Sequence, residues 1–307
     1  MSRDTPRVVS LLPSATEIVY ALGVEPVATS HECDHPPEAA DRPTVVESRV
    51  DASAASADID AQVQDAEAEG GVYRIDRETL AAVDPDVVIS QGICEVCAVD
   101  TVVVEDAIAE LGLDCELVTT DPHGLDDVLS DIRRIGRALG REGRAGEVVA
   151  ELERRVEAVA DRVGDPDPAD RPNVAVLDWL DPVMVAGHWV PELVDLAGGR
   201  HGLSDPGDAS TPREWAAIRE YDPDVLVAAP CGFGLEQIAD NAADLTDRPG
   251  WDDLAAVEAG RVHAVDGHHL TNRPGPRVVD TLEVLAALLH PDRFEAPAPW
   301  QTRPFPP

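Results

Sequence analysis

One pattern occurs twice in this chain, and it constrains the fold more than any other feature. "ETLAAVDPDVVISQG" (78–92) is matched by "EWAAIREYDPDVLVAAPCG" (214–232). Each is a short helical stretch, then Asp-Pro-Asp, then a β-branched apolar run. "RVVSLLPSATEIVYALG" (7–23) is likewise matched by "NVAVLDWLDPVMVAGHWVPELVDLAGG" (173–199), a strand leading through a loop into a helix that ends at glycine. Strands alternating with helices build mainly parallel sheets covered by helices. Two β/α lobes of similar plan are therefore predicted, the first enlarged by the acidic piece "ESRVDASAASADIDAQVQDAEAEGG".

Between the repeats, Leu125, Val128, Leu129, Ile132 and Ile135 form a helical stripe, as do Val148, Val149, Leu152 and Val156. Gly140 and Gly143 are expected to divide this stretch into two helices. Such a segment is too ordered for a flexible linker and reads as a helical spine. The expected organisation is an N-terminal β/α lobe (1–123), the spine (124–163), a C-terminal β/α lobe (164–291) and a proline-rich tail (292–307). The tail "APAPWQTRPFPP" reads as an irregular wrap or a loose end. Near the start, Ser14 and Glu17 have the spacing of a capping box for a helix over 14–22, which Gly23 stops.

Charge narrows the partners. There are 60 Asp and Glu against 24 basic residues, all of them Arg, for a formal charge of −36. Such a surface repels nucleic-acid phosphates and anionic lipid. It suits a high-salt milieu, where screening relieves self-repulsion. No apolar run is long enough to cross a bilayer, so no membrane insertion is expected. "MSRDTPRVVSLL" lacks a signal core, which points to the cytoplasm. An upstream start would instead place the protein on the extracytoplasmic face. A monomer is expected.

The unusual chemistry falls in loops that follow predicted strands, where α/β lobes place ligands. These loops supply Pro13 and Ser14; His31, Cys33 and Asp34; Gln91; His188 and Trp189; Phe233; and Asp266, His268, Asn272 and Arg273. If "SHECDHPP" (30–37) runs extended, His31, Cys33 and His35 project to one side. It is then open to three readings: a metal site, a pocket lip or a polar loop. Cys94 and Cys97 form C-x-x-C, with redox exchange, ligation and plain loop lining all open. Cys33, Cys94, Cys97 and His31 are the donors that zinc or another transition metal would use. Cys115 reads as strand core. Trp189 and Phe233 are either flat faces for a large planar ligand or core anchors. Arg273 and Asn272 suit amide partners, although Arg273 and Arg277 could simply neutralise nearby carboxylates.

"SLLPSATEIVYALG", "SHECDHPP", "LAAVDPDVVIS", the spine and "VDGHHLTNRPGPRVVDTLEVLAALLHP" resemble the helical-spine (class III) substrate-binding proteins of ABC transporters, over essentially residues 7 to 290. "HECD", "CEVCAV" and "NRPGPR" resemble the vitamin B12 (cobalamin)-binding branch. The resemblance implies two β/α lobes joined by the spine, a ligand cleft between them, no catalytic residues, a corrinoid ligand and an ABC-transporter permease as partner. It also implies that Asp266 and Arg273 hydrogen-bond the amide rim of the corrin. Asp100, Glu105 and Glu236 match the family's permease-docking acids only loosely. Two alternatives stand beside this reading. One is a haem or ferric-siderophore binder on the same scaffold. The other is a metal- or thiol-dependent enzyme using Cys33, Cys94 and Cys97, against which no recognised catalytic motif is present.

Overall fold

Alternation of β-branched runs with helices produces two sheets in the computed structural model, which describes residues 5–92, 99 and 101–305. The chain divides into two units. The first comprises Met1–Asp51, Ala61–Pro122 and Asp126–Glu151; the second comprises Ala52–Asp60, His123–Leu125 and Leu152–Pro307.

The strands of the first unit are β1 (Val8–Ser10), β2 (Ala28–Ser30), β3 (Thr44–Ser48), β4 (Tyr73–Ile75), β5 (Val87–Gln91) and β6 (Glu116–Thr120). They lie in the order β4-β3-β2-β1-β5-β6, parallel except for the antiparallel edge pair β3–β4. Helices α1 (Pro13–Ala21), α2 (Ser56–Ala68), α3 (Arg77–Val83) and α4 (Thr101–Leu111) alternate with the strands. A parallel sheet covered by helices must be apolar along its whole strand. Val8, Val9, Val88 and Ile89 are accordingly fully buried. Val9, Leu11, Val46, Leu80 and Val104 belong to one core cluster, each worth roughly 1.5–3 kcal/mol of burial. Cys115 packs partly buried against this cluster, and burial raises its thiol pKa.

The predicted spine stretch forms α5 (Leu125–Ala138) and α6 (Glu142–Val163). Gly140, at φ +62°, ends the first helix; Gly143 lies inside the second and breaks nothing.

The second unit repeats the plan with β7 (Val174–Trp179), β8 (Met184–Val185), β9 (Thr211–Pro212), β10 (Val225–Ala228), β11 (Val262–Val265) and β12 (Thr302–Pro304). The order is β12-β11-β10-β7-β8-β9, with β7, β10 and β11 parallel and the flanking strands antiparallel. Its helices are α7 (Val190–Leu196), α8 (Trp215–Tyr221), α9 (Leu235–Asp240), α10 (Ala243–Thr246), α11 (Ala255–Glu258) and α12 (Val278–Leu289). Arg155 of α6 grips α12 through Asp280 (2.6 Å) and Glu283 (2.7 Å).

The repeated Asp-Pro-Asp performs the same task in both units. Asp84 and Asp222 end α3 and α8 in the left-handed conformation, at φ 42° and 45°. Short polar side chains tolerate that region best after glycine. The proline then prevents the helix from resuming. Asp86 and Asp224 accept backbone N–H groups of Arg7 (2.7 Å) and Asn173 (2.8 Å), seating each incoming strand.

Two local expectations are corrected. The Ser14–Glu17 capping box does not form: α1 begins one residue earlier, at Pro13, with Leu12 as N-cap and no side-chain cap bond. Proline suits the first helical position, because the N–H it lacks would be left unpaired there and its fixed φ is already helical. The tail wraps irregularly up to residue 301 but is not loose: β12 pairs antiparallel with β11, and Phe305 is buried against Trp251.

Candidate functional site

In the first unit the strand order reverses at β1, which has β2 on one side and β5 on the other, both parallel to it. In open α/β sheets the carboxyl ends of strands at such a point are the usual ligand position. Pro13 and Ser14 stand there at the start of α1, with Ser14 buried; Gln91 ends β5 and is also buried.

"SHECDHPP" leaves the sheet at Ser30 rather than running on extended. The Cys33 N–H donates to the Ser30 carbonyl at 3.1 Å, closing a turn. The turn separates residues that an extended strand would align. Cys33 is 3% exposed and receives a hydrogen bond from Thr16 Oγ1 at 3.0 Å. The His31 ring lies nearer the surface, with Nδ1 3.1 Å from the Val46 carbonyl and its face tilted against Tyr73. Asp34 is half-buried on the same turn. Cys33 and His31 therefore occupy different surroundings, one buried beside Thr16 and the other beside Val46 and Tyr73. Cys94 and Cys97 lie outside the described residues.

In the second unit, the loops after β7, β10 and β11 are tied to one another. The Cys231 N–H donates to the Asp178 carbonyl at 2.9 Å, and the Trp179 and Phe233 rings meet edge to face at 5.1 Å. The backbone N–H groups of Gly267 and His268 both donate to the Phe233 carbonyl, at 3.0 and 3.1 Å. Gly267 is required there, because a Cβ would collide with the Pro230 carbonyl.

His188 stands in the left-handed region, at φ 53°, pinned between Asp208 and Gly207. A Cβ on Gly187 would strike the 208–210 backbone. The Gly187 N–H donates to Ser210 Oγ at 3.0 Å, and the Ser210 side chain hydrogen-bonds Asp178. Asp178 Oδ1 is buried without a hydrogen-bond partner among the described residues, and burial pushes the carboxyl pKa up to about 6. The His188 ring stacks on Trp189 at 5.7 Å.

Trp189 and Phe233 are core anchors, 7% and 2% exposed, and not open platforms. The Trp189 indole N–H donates to the Thr271 carbonyl, which fixes its orientation.

The stretch after β11 opens with one π-type turn, Gly267–Thr271, whose N-cap is Asp266. The Asp266 carboxylate accepts the His269 N–H at 2.7 Å and lies 3.1 Å from His269 Nδ1. Asn272 Nδ2 donates to the Gly267 carbonyl at 2.8 Å. Arg273, 3% exposed, donates through Nε to the His268 carbonyl at 2.7 Å, and its Nη2 lies 2.9 Å from His268 Nε2. These bonds hold the loop's own shape, with the His268 and His269 rings perpendicular at 4.5 Å. Sequence reasoning passed over Trp179, Asp178 and Ser210. The first two end a strand in "VAVLDW" and could have been found by position alone. Ser210 carries no sequence signal, because its role depends on a loop folding back.

A family model described as periplasmic binding protein matches residues 8–268. Among curated proteins, an uncharacterized ABC transporter substrate-binding lipoprotein, YvrC of Bacillus subtilis, is 23% identical across 96% of this chain and 83% of its own length. A cobalamin-binding protein of Halobacterium salinarum is 30% identical over 170 residues, which are 54% of this chain and 44% of that protein. Less than half of that relative is therefore matched. Among solved structures, a periplasmic heme binding protein from Pseudomonas aeruginosa superposes with a TM-score of 0.73 at 21% identity, over 96% of both chains. The periplasmic vitamin B12 binding protein BtuF of Vibrio cholerae gives 0.68 at 20% identity, over 93% of this chain and 96% of that one. Both show the same fold.

Proposed function

This chain belongs to the periplasmic binding protein family, a family of non-enzymatic substrate-binding proteins, and from that premise we propose that it captures a corrinoid for an ABC-transporter permease. The observation that carries the reading is the state of the cations in the second unit's ligand-type loops. Arg273 is buried and bonded to His268, and Arg277 is 9% exposed. Haem propionates and anionic siderophores ask for exposed basic partners, whereas a corrin rim is built of neutral amides that need matched donors and acceptors. The partial likeness to the Halobacterium cobalamin-binding protein supports the same choice.

Capture here needs no reacting group. Affinity comes from shape, apolar contact and a few oriented polar atoms. The bonds among Phe233, Gly267 and His268, and between Trp189 and Thr271, make the loops rigid before ligand arrives. Little ordering entropy is then lost on binding. We place the protein on the extracytoplasmic side, as the lipoprotein relative suggests. No helix among the described residues is long and apolar enough to cross a membrane.

The test is equilibrium titration of the purified chain in high salt with cyanocobalamin, haemin and a ferric siderophore, followed by visible absorbance. Saturable one-to-one binding of cobalamin, tighter than of the other two, is expected. Preference for haemin or the siderophore would overturn the assignment.

A further inference from the structure

The tail builds a pocket beside Asp266 whose other walls have no role so far. A cavity of about 540 Å³ in the second unit is lined by Glu236, Asp266, Pro299, Trp300 and Arg303, among others. Its outer wall is held in place by more than strand pairing. The Asp266 N–H donates to the Gln301 carbonyl at 2.9 Å, and Thr302 Oγ1 donates to the Ala264 carbonyl at 2.7 Å. Gln301 closes the preceding turn twice, through its own N–H to the Ala298 carbonyl and through Oε1 from the Ala298 N–H, both 2.9 Å. On this braced turn Trp300 is 51% exposed, one of two large apolar side chains so exposed among the described residues. The His269 ring meets it edge-on at 6.3 Å. A large indole left half open on a fixed support is unusual in a chain that is only 4% aromatic.

The polar lining specifies what could enter. Arg303 is part of the cavity wall, and its Nη2 is buried with no hydrogen-bond partner among the described residues, so the wall holds a guanidinium short of acceptors. Glu236 and Asp266 outnumber that guanidinium, so an incoming carboxylate would meet net repulsion while an N–H donor would be welcomed. A primary carboxamide is neutral and carries an acceptor and two donors in one plane. An alkyl stem below it would lie against the indole.

We infer that this tail-built pocket, through Trp300, Glu236, Asp266 and Arg303, receives a neutral carboxamide arm of the ligand and discriminates against the corresponding carboxylate. The inference rests on the corrinoid reading and deepens it, since it names the part of the ligand rim that the tail selects.

Wild type, W300A, W300F and E236Q would be titrated with cyanocobalamin and with its monocarboxylic acids, in which one peripheral amide has been hydrolysed. Denaturation curves of each variant establish that it is folded. W300A is expected to weaken cyanocobalamin about fivefold to tenfold, and W300F to restore most of that loss. At least one monocarboxylic acid should bind wild type about tenfold more weakly than the parent, and E236Q should narrow that gap. If cyanocobalamin binds all four proteins alike and the acids are not discriminated, the pocket inference is overturned while the corrinoid reading stands. If cyanocobalamin does not bind wild type at all, the corrinoid reading falls and the inference falls with it.

Discussion

The indole N–H of Trp189 donates to the Thr271 carbonyl at 3.0 Å, joining the start of α7 to the loop after β11. That bond is made by a side chain 7% exposed, whereas Trp300 on the tail is 51% exposed. The two tryptophans should therefore separate cleanly in stability measurements. W189A removes a packed ring and strands a buried carbonyl, and about 3–5 kcal/mol of destabilisation is expected. W300A should fall within about 0.5 kcal/mol of wild type. Urea denaturation of both variants checks the contrast. Equal losses would show that the tail turn, too, depends on its ring.

Asp178 predicts a pH dependence with a definite sign. Its native pKa of about 6 lies above the ordinary 3.8 because burial penalises the charge. The native state therefore holds the proton more tightly than the unfolded chain. Its contribution is full below the unfolded value, is lost as pH rises through about 6, and stays lost above that. The amount is on the order of 3 kcal/mol. D178N keeps an acceptor for Ser210 but carries no charge, so its stability advantage should grow from about pH 4 to about pH 7. Denaturant midpoints at both ends of that range test it; a gap that does not change with pH would contradict the assignment.

Arg155 joins α6 to α12 by a forked contact, Nε to Glu283 Oε1 at 2.9 Å and Nη2 to Asp280 Oδ1 at 2.6 Å. Burial raises the Asp280 pKa while the guanidinium holds it down. R155A would leave that carboxyl without its closest cation. A loss of about 1–3 kcal/mol is expected, more than for a fully exposed pair. R155K, which cannot make the fork, should recover only part of it. Full recovery by lysine would mean that charge alone matters.

The acid excess predicts stabilisation by salt. With a formal charge of −36, the native surface repels itself, and screening at about 3 M KCl shortens the range of that repulsion to a few ångströms. The thermal midpoint should rise steeply between about 0.15 M and about 3 M KCl. A midpoint that is flat or falls over this range would show that the coat does not strain the fold.

How much was legible in advance follows from the range of the interactions involved. The Asp-Pro-Asp stops were readable because helix termination is local: Asp84 and Asp222 take the left-handed cap, and the following prolines exclude helix. The apolar strands Val87–Gln91 and Val225–Ala228 were readable because a doubly covered sheet requires unbroken hydrophobicity. The direction of "SHECDHPP" was not readable. Extended chain and turn are both compatible with those residues, and the Ser30–Cys33 bond decides between them only once Thr16 offers Cys33 a buried seat. Trp189 and Phe233 could equally have been platforms or anchors until their neighbours were placed.

The amino-acid order alone determined the family plan: two β/α units, their helix stops, and the positions along the chain where chemistry gathers. These follow from periodicity and backbone preference, which act over a few residues. Tertiary structure decided what each gathered side chain does. It turned Trp189 inward and held Trp300 outward, bonded Arg273 to His268, and made a strand of Thr302–Pro304 in the tail. The reason is physical. Exposure and hydrogen-bond satisfaction depend on partners far away in sequence, and the chain shows those only when it is folded.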